Sequence, residues 1–468
     1  MKTVVSAQYL VVRTPARPEA GVRRPGSGGW AAGLAVTVAF LACVDSLPAE
    51  PLRLDAATAT ARAIEMSNLV AAARERTEAA TAGVQAADAA RWPSLAASAS
   101  LSRRSSVPEF RLPITLPGQP TVVLMPDITT TYGTGLRASQ TLLAGGAIEA
   151  QRRATRFDQA AASARQSQAA SDLRLAAQAA YWEAVRARAS LEVTAAQAAR
   201  SDRLLADSQD LLRAGMAVRA DVLAAQERQA SGTVALIRAR AASATALDTL
   251  RSLLQLAPEQ DIELADTLMG TLPGVPPPLA EIQADAVSTR AELGAASAQL
   301  AALHARETLT RAPLRPALQA VAQWDLARPN QRYFPTADEW HDSWAVSLVG
   351  TWTLFDGGRS GAERAVSQAQ QRALTRERAE LERRTRLDVL TARRELETAL
   401  QTVEAADLAR QAALARQEAA RDRHAAGLAA MVEVLDAEAQ LTAAEQQQVN
   451  ARAGAWMAAA SLDRAVGR

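Results

Sequence analysis

Catalysis needs side chains that pass protons, attack carbon or hold metal, and few here are spaced for it. The three histidines, His304, His341 and His424, stand far apart in the chain. No Cys or His cluster has metal-ligand spacing, and no glycine-rich phosphate loop follows a strand. Serines and aspartates are plentiful but nothing pairs them into a triad. The chain is therefore read as a non-enzyme with no cofactor and no metal. One reactive side chain has a context. Cys43, the single cysteine, rules out an intrachain disulfide and ends an apolar run, Trp30 to Val44, that follows Arg23 and Arg24. Basic residues, about 15 apolar ones and then small ones describe a secretory signal peptide, and the run is short for a membrane span. Two processing sites stay open. One follows Ala49 in Leu47-Pro48-Ala49; the other is the lipobox-like Phe40-Leu41-Ala42-Cys43, which would leave Cys43 lipidated at the mature N-terminus. Otherwise Cys43 only fills the apolar core of the signal. The leader before Trp30 is long, so a start downstream of Met1 is also open.

The remaining composition describes helices. The hydrophobic share of 49 % leans on alanine, charged residues are 22 % and aromatics 4 %. An Ala-, Arg-, Glu- and Gln-rich chain reads as long helices. Beyond residue 49 the chain carries 47 basic and 48 acidic residues. A body so close to neutral argues against nucleic acid as the main partner.

One unit is written twice. Leu142-Leu143-Ala144-Gly145-Gly146 recurs as Leu354-Phe355-Asp356-Gly357-Gly358, and Ala214-Gly215-Met216-Ala217 recurs as Ala426-Gly427-Leu428-Ala429, both at an offset of 212. Pro93-Ser94-Leu95 and Pro316-Ala317-Leu318 match at 223, so the first copy has the longer loop. The expected division is a leader at 1–49, a first repeat at 50–257, a Pro-rich linker at 258–278 and a second repeat at 279–468. Each repeat holds a stretch free of Gly and Pro, Ala147 to Ala214 and Ala362 to Ala426. At about 1.5 Å per residue each would span on the order of 100 Å. The seam Leu173, Ala177, Ala180, Ala184, Ala187 and Leu191 has coiled-coil spacing with small residues. A plain helical bundle explains these helices equally well by themselves. The chain turns at Gly215 and Gly427, and a shorter helix returns each time, Met216–Ala257 and Leu428–Val466. Each repeat opens with another, near Ala56–Ala90 and Leu279–Thr310.

Between opening and long helix the period changes to two. Over Trp344–Phe355 one face carries Trp344, Val346, Leu348, Gly350, Trp352 and Leu354; the other carries Ala345, Ser347, Val349, Thr351, Thr353 and Phe355. Apolar-out, small-or-polar-in alternation at this length suits a strand that spans a bilayer. The equivalent stretch Tyr132–Leu143 sets Leu136, Ala138 and Leu142 against Arg137, Ser139 and Thr141. The partner strands are Leu95–Ser102 and Leu318–Trp324. Pro-rich polar loops, Arg104–Ile128 and Asp325–Asp342, would separate the strands. Aromatics gather at the strand ends, where interfacial girdles form. A water-soluble sheet covered by helices is the competing reading. Four strands cannot close a barrel, and open edges are not tolerated in lipid. Several chains must share one: two would give a narrow filled barrel, three a twelve-stranded one with a lumen.

This order of parts resembles the TolC family of outer-membrane efflux proteins across nearly all of the mature chain. The marks are the doubled helix–strand–strand–helix–helix plan, the two Gly-Gly strand-to-helix junctions and the two tips. The resemblance implies a mainly helical fold with a membrane β-barrel: a homotrimer with a 12-stranded barrel in the outer membrane and a coiled-coil α-helical tunnel through the periplasm. It implies a passive conduit in a tripartite efflux or type I secretion system. A periplasmic adaptor (membrane fusion) protein and an energised inner-membrane pump, of RND, ABC or MFS type, would dock at the tips. Gly215, Met216, Gly427 and Leu428 match those adaptor-contact tips, though glycines there also simply make the turn. Asp221, Glu433 and Asp436 match the acids that ring the aperture, where like charges favour cations and couple opening to pH and ions. They are equally read as helix N-terminal acids stabilised by the dipole. Ala429 and Ala430 stand where the family's closed aperture uses a basic residue, which puts a conventional polar latch in doubt. The reading from another class is a secreted or surface coiled-coil scaffold with no pore, which would not need the alternating strands.

Overall fold

The structure, a computed structural model, describes residues 52–111 and 123–468. The leader, Cys43 and both processing sites lie outside the described residues. The first copy of the unit opens with β1 (Leu52–Leu54), α1 (Ala56–Met66) and α2 (Asn68–Ala89), then β2 (Ser94–Arg103). Short strands β3 (Phe110–Arg111) and β4 (Val123–Met125) pair within the following connection, whose sequence reads as loop throughout. β5 (Thr130–Ala144), α3 (Ala147–Arg213) and α4 (Arg219–Leu253) complete it. After β6 (Ile262–Leu264), the second copy runs α5 (Leu279–Thr289), α6 (Ala291–Arg311), β7 (Ala317–Arg328), β8 (His341–Thr351), α7 (Arg359–Ala425) and α8 (Met431–Val466). The fold is mainly helical with few strands, and the doubled plan of helix, strand, strand, helix, helix is present in the backbone.

α3 and α7 have 67 residues each, or about 100 Å of helix. Both begin after paired glycines with positive φ, Gly145 and Gly146 or Gly357 and Gly358, which swing the chain out of the sheet where a side chain would be strained. α3 runs beside two shorter helices placed end to end. Near the sheet it packs on α2 and α6, with Arg152 on Asp88, Gln159 on Thr81 and Arg306 on Asp158. Farther on it packs on α4 and α8, through Asp202 to Gln229 and Arg200 to Glu445. Small residues on α3, including Ala177, Ala184 and Ala187, are buried and let its neighbours approach closely.

The largest core lies midway, where Tyr181, Trp182, Val185, Leu250, Leu254 and Val449 meet. Trp182 stacks on Trp456 at 4.6 Å between ring centres. Beside it β1 pairs in parallel with β6. That contact joins residues some 210 apart, and no local pattern announces it.

The opening helices, continuous by their sequence pattern, are each broken once. Ser67 (ψ 122°) and Arg290 (ψ 122°) leave the helical region, 223 residues apart, the same offset as the proline match. Ser67 caps α2 through its hydroxyl, which accepts from Leu69 N. Arg290 has no such cap; its guanidinium reaches Asp388 at 2.9 Å and Thr385 at 3.3 Å on α7.

The four long strands form one antiparallel sheet in the order β2-β5-β7-β8. Three strand expectations change. β8 stops at Thr351, opposite Ala317 where β7 begins, so Trp352–Phe355 have no partner strand among the described residues. A bulge between Thr141 and Leu143 sets Leu143, rather than Leu142, opposite Leu318. β7 runs on to Arg328, so Asp325–Arg328 are strand and not loop. Among the described residues no helix is long and apolar enough to cross a membrane.

Candidate functional site

Two regions carry chemistry that the core does not explain: the helix tips and the two faces of the sheet. At each tip the long helix ends in the same way. Gly215 N bonds Leu212 O at 3.0 Å and Met216 N bonds Leu211 O at 2.9 Å; Gly427 N bonds His424 O at 2.9 Å and Leu428 N bonds Arg423 O at 2.8 Å. This is the Schellman ending, which needs a left-handed residue, and Gly215 and Gly427 sit at φ +74° and +73°. The glycines make the turn. Met216 and Leu428, both 72 % exposed, are the apolar side chains that the turns leave in the open.

The three acids differ in surroundings. Asp221 lies in the first turn of α4 and accepts weakly from Val218 N at 3.4 Å, an N-terminal role. Glu433, in the first turn of α8, pairs with Arg423 of α7 at 3.2 Å. Asp436 pairs with Arg416 of α7 at 2.7 Å. A third bond crosses the same hairpin: Arg421 Nη2 donates at 2.6 Å to Glu438, whose side chain is almost wholly buried. The structure thus brings Glu433 and Asp436 to arginines that no sequence motif singles out. The basic groups lie on the long helix before the turn, not in the turn at Ala429 and Ala430. A signal was present: Arg423 and Glu433, or Arg416 and Asp436, stand at near-equal distances either side of Gly427, as partners in a helical hairpin must. Both pairs are half-exposed, worth about 0–1 kcal/mol each, so they hold the tip lightly.

In the sheet, register assigns every residue to a face. One face carries Leu95, Ala97 and Leu101 of β2, Leu136 and Ala138 of β5, Ala322 and Trp324 of β7, and Trp344, Val346 and Leu348 of β8. Leu95, Leu101, Trp344, Val346 and Leu348 are all exposed, with no helix over them. At the loop end Tyr132 meets Trp340, with ring centres 6.0 Å apart. The opposite face is polar and small: Ser94, Ser98, Ser100 and Ser102, then Gly133, Gly135, Arg137 and Ser139, then Gln323 and Asp325, then Ser343 and Ser347. An exposed apolar face of this size in water would aggregate; against lipid it is at rest. Among the described residues both outer strands, β2 and β8, have a free edge.

Comparison with known proteins adds three findings. The model of the family described as outer membrane efflux protein matches residues 59–255 and 284–468. No curated protein matches in sequence. Solved structures do match in fold. VceC from Vibrio cholerae aligns at a TM-score of 0.73 with 19 % identity, covering 88 % of this chain and 96 % of that one. The open-state MtrE outer membrane channel of Neisseria gonorrhoeae aligns at 0.72 with 18 % identity, covering 88 % of each. The CmeC outer membrane channel of Campylobacter jejuni aligns at 0.72 with 14 % identity, covering 88 % and 85 %.

Proposed function

From the chain's membership of the outer membrane efflux protein family, we propose that three copies form one conduit, with the sheets closed into a shared barrel and the helices into a periplasmic tunnel. The observation that carries this is the sheet: four antiparallel strands, apolar on one exposed face, polar on the other and open at both edges. β2 and β8 run in opposite directions, so β8 of one copy meets β2 of the next in an antiparallel pair and the ring closes without an edge. Twelve strands leave a lumen, where eight would be filled by side chains. Conduction through it is passive, with the energy supplied by an inner-membrane pump joined through a periplasmic adaptor.

In this reading residues 1–49 are the export leader. The apolar knobs Met216 and Leu428 are the adaptor contacts, set by Gly215 and Gly427. Asp221, Glu433 and Asp436 surround the aperture, where Arg423 and Arg416 hold the last two in a closed hairpin. An adaptor that pulled α7 from α8 would uncover these acids; the two exposed pairs resist little, and the buried Arg421–Glu438 bond sets the main cost.

The test is fractionation of a diderm host expressing the full chain, followed by light scattering of the extracted protein. Recovery in the outer membrane with the mass of three chains is expected. Conductance of those trimers should lose cation preference when Glu433→Gln and Asp436→Asn are combined. Recovery as a soluble periplasmic monomer would sink the conduit.

A further inference from the structure

The polar face of the sheet carries two unlike charges at different depths. In the conduit reading, on which the proposal below rests, that face lines the lumen. Arg137 of β5 stands in the row Ala96–Arg137–Gln323–Ala345. Asp325 of β7 stands in the row nearer the loops, Ser98–Gly135–Asp325–Ser343. Two residues along a strand separate the rows by about 7 Å. Otherwise the strands present Ser, Thr, Ala, Gly, Val and Gln on this face, with His341 at the loop end.

The two charges do not neutralise one another. Asp325 leans over β5, where a Cβ on Gly135 would come within 2.8 Å of its Oδ1. Both its oxygens accept from Gln323 Nε2 at 2.9 Å, a neutral partner that fixes the carboxylate without cancelling its charge. Arg137 is exposed and makes no hydrogen bond or ion pair among the described residues. Ring closure brings it no acid either, because the strand arriving beside β8 is β2, whose face here is Ser94, Ala96, Ser98, Ser100 and Ser102.

We propose that Arg137 and Asp325 form a two-tier charge belt inside the barrel that sets the ion selectivity of the conduit's outer end. Three guanidinium groups ring the lumen on the tunnel side and three carboxylates ring it one row outward. Seen from afar the belt is neutral. A permeating ion instead meets the tiers in turn, so an ion of either sign is held back at one of them. Removing one tier leaves the other uncompensated, and selectivity should move in opposite directions for the two charges. The effect is governed by screening. At 0.01 M salt the Debye length is about 30 Å and the rings reach across the lumen; at 1 M it is about 3 Å and they do not.

The experiment uses full-length wild type, Arg137→Gln, Arg137→Lys and Asp325→Asn in planar bilayers, each first sized as a trimer by light scattering. The permeability ratio of potassium to chloride is read from the reversal potential in dilute KCl. Arg137→Gln should raise it and Asp325→Asn lower it, each by about twofold or more, with both changes lost near 1 M salt. Arg137→Lys keeps the charge and should match wild type. If Arg137→Gln does not assemble, Asp325→Asn must still move the ratio toward chloride. Conducting variants that keep the wild-type ratio, or shift it in one common direction, overturn the belt and leave the conduit standing. A wild type that never conducts overturns the conduit and the belt with it.

Discussion

Tyr181 shows how one side chain ties distant segments together. It is fully buried on α3, and its single proton is shared between the Leu54 carbonyl at 3.0 Å and the Asp266 carboxylate at 2.9 Å. Its oxygen accepts from Asp266 N at 3.3 Å. Burial, aided by the Asp266 carboxylate, pushes the phenol well above its ordinary range, although the Asp266 amide works the other way. The raised value means that the fold favours the protonated form. The hydroxyl's contribution is therefore complete below the unfolded value of about 10 and is lost as pH climbs from there toward the folded value. Tyr181→Phe leaves the Leu54 carbonyl and Asp266 short of a partner, a loss of about 1–3 kcal/mol. Thermal melts should show the variant less stable near neutral pH, with its gap to wild type closing above pH 10 as the wild type weakens. A gap that stays constant through that range would count against the buried hydroxyl.

Positive-φ glycines recur along this chain, yet they meet unequal surroundings. Gly145, at the junction of β5 and α3, and Gly427, at the second tip, both adopt positive φ. Gly427 has open space around it, so Gly427→Ala should cost only the left-handed strain, about 1–2 kcal/mol, and fray the tip alone. A Cβ at Gly145 would come within 2.5 Å of the Ala312 carbonyl, just before β7, where Arg315 also donates to Gly145 O at 3.2 Å. Gly145→Ala must push the lower ends of β5 and β7 apart, so it should lower the melting temperature and the trimer yield far more. Equal losses from the two variants would refute this. The same contrast separates what is legible in the sequence from what is not. Long helices, tip turns and strand faces come from local periodicity, and both glycines are visible as turn residues. The surroundings of each glycine depend on segments far along the chain. The same holds for the breaks at Ser67 and Arg290, which carry neither Gly nor Pro. At Arg290 the end of α8 packs into the gap, with Thr289 Oγ1 donating to Val466 O at 2.7 Å. Arg416, Arg423, Arg137 and Asp325 are plain as residues, but their partners, or want of them, depend on the hairpin geometry and the sheet register.

At the scale of the assembled molecule, the internal repeat predicts a contact that one chain cannot make. Within the chain β5 pairs with β7, Leu136 opposite Trp324 and Arg137 opposite Gln323. β8 stands to β5 at an offset of 212, and β2 stands to β7 at 223. If copies join as the repeats do, Leu348 of one chain lies opposite Leu101 of the next, and Val349 lies opposite Ser100. Each transposed pair keeps its face: Leu348 and Leu101 are apolar-side residues, Val349 and Ser100 polar-side ones. The same shift sets Trp352 opposite Ala97, which supplies a neighbour for the stretch after β8 that has none among the described residues of its own chain. Adjacent pairs in an antiparallel ladder alternate between hydrogen-bonded and non-hydrogen-bonded, and the latter bring side chains closer. Leu348→Cys with Leu101→Cys, and Val349→Cys with Ser100→Cys, therefore cover both cases, and at least one should oxidise to a disulfide between chains. Non-reducing gels should then show a ladder ending at three chains. A control two residues out of register, Leu348→Cys with Ala99→Cys, should stay monomeric in denaturant. A ladder from the control and none from the registered pairs would mean that the copies do not join as the repeats do. A ladder ending at two chains would shrink the barrel to eight strands and close the lumen that conduction needs.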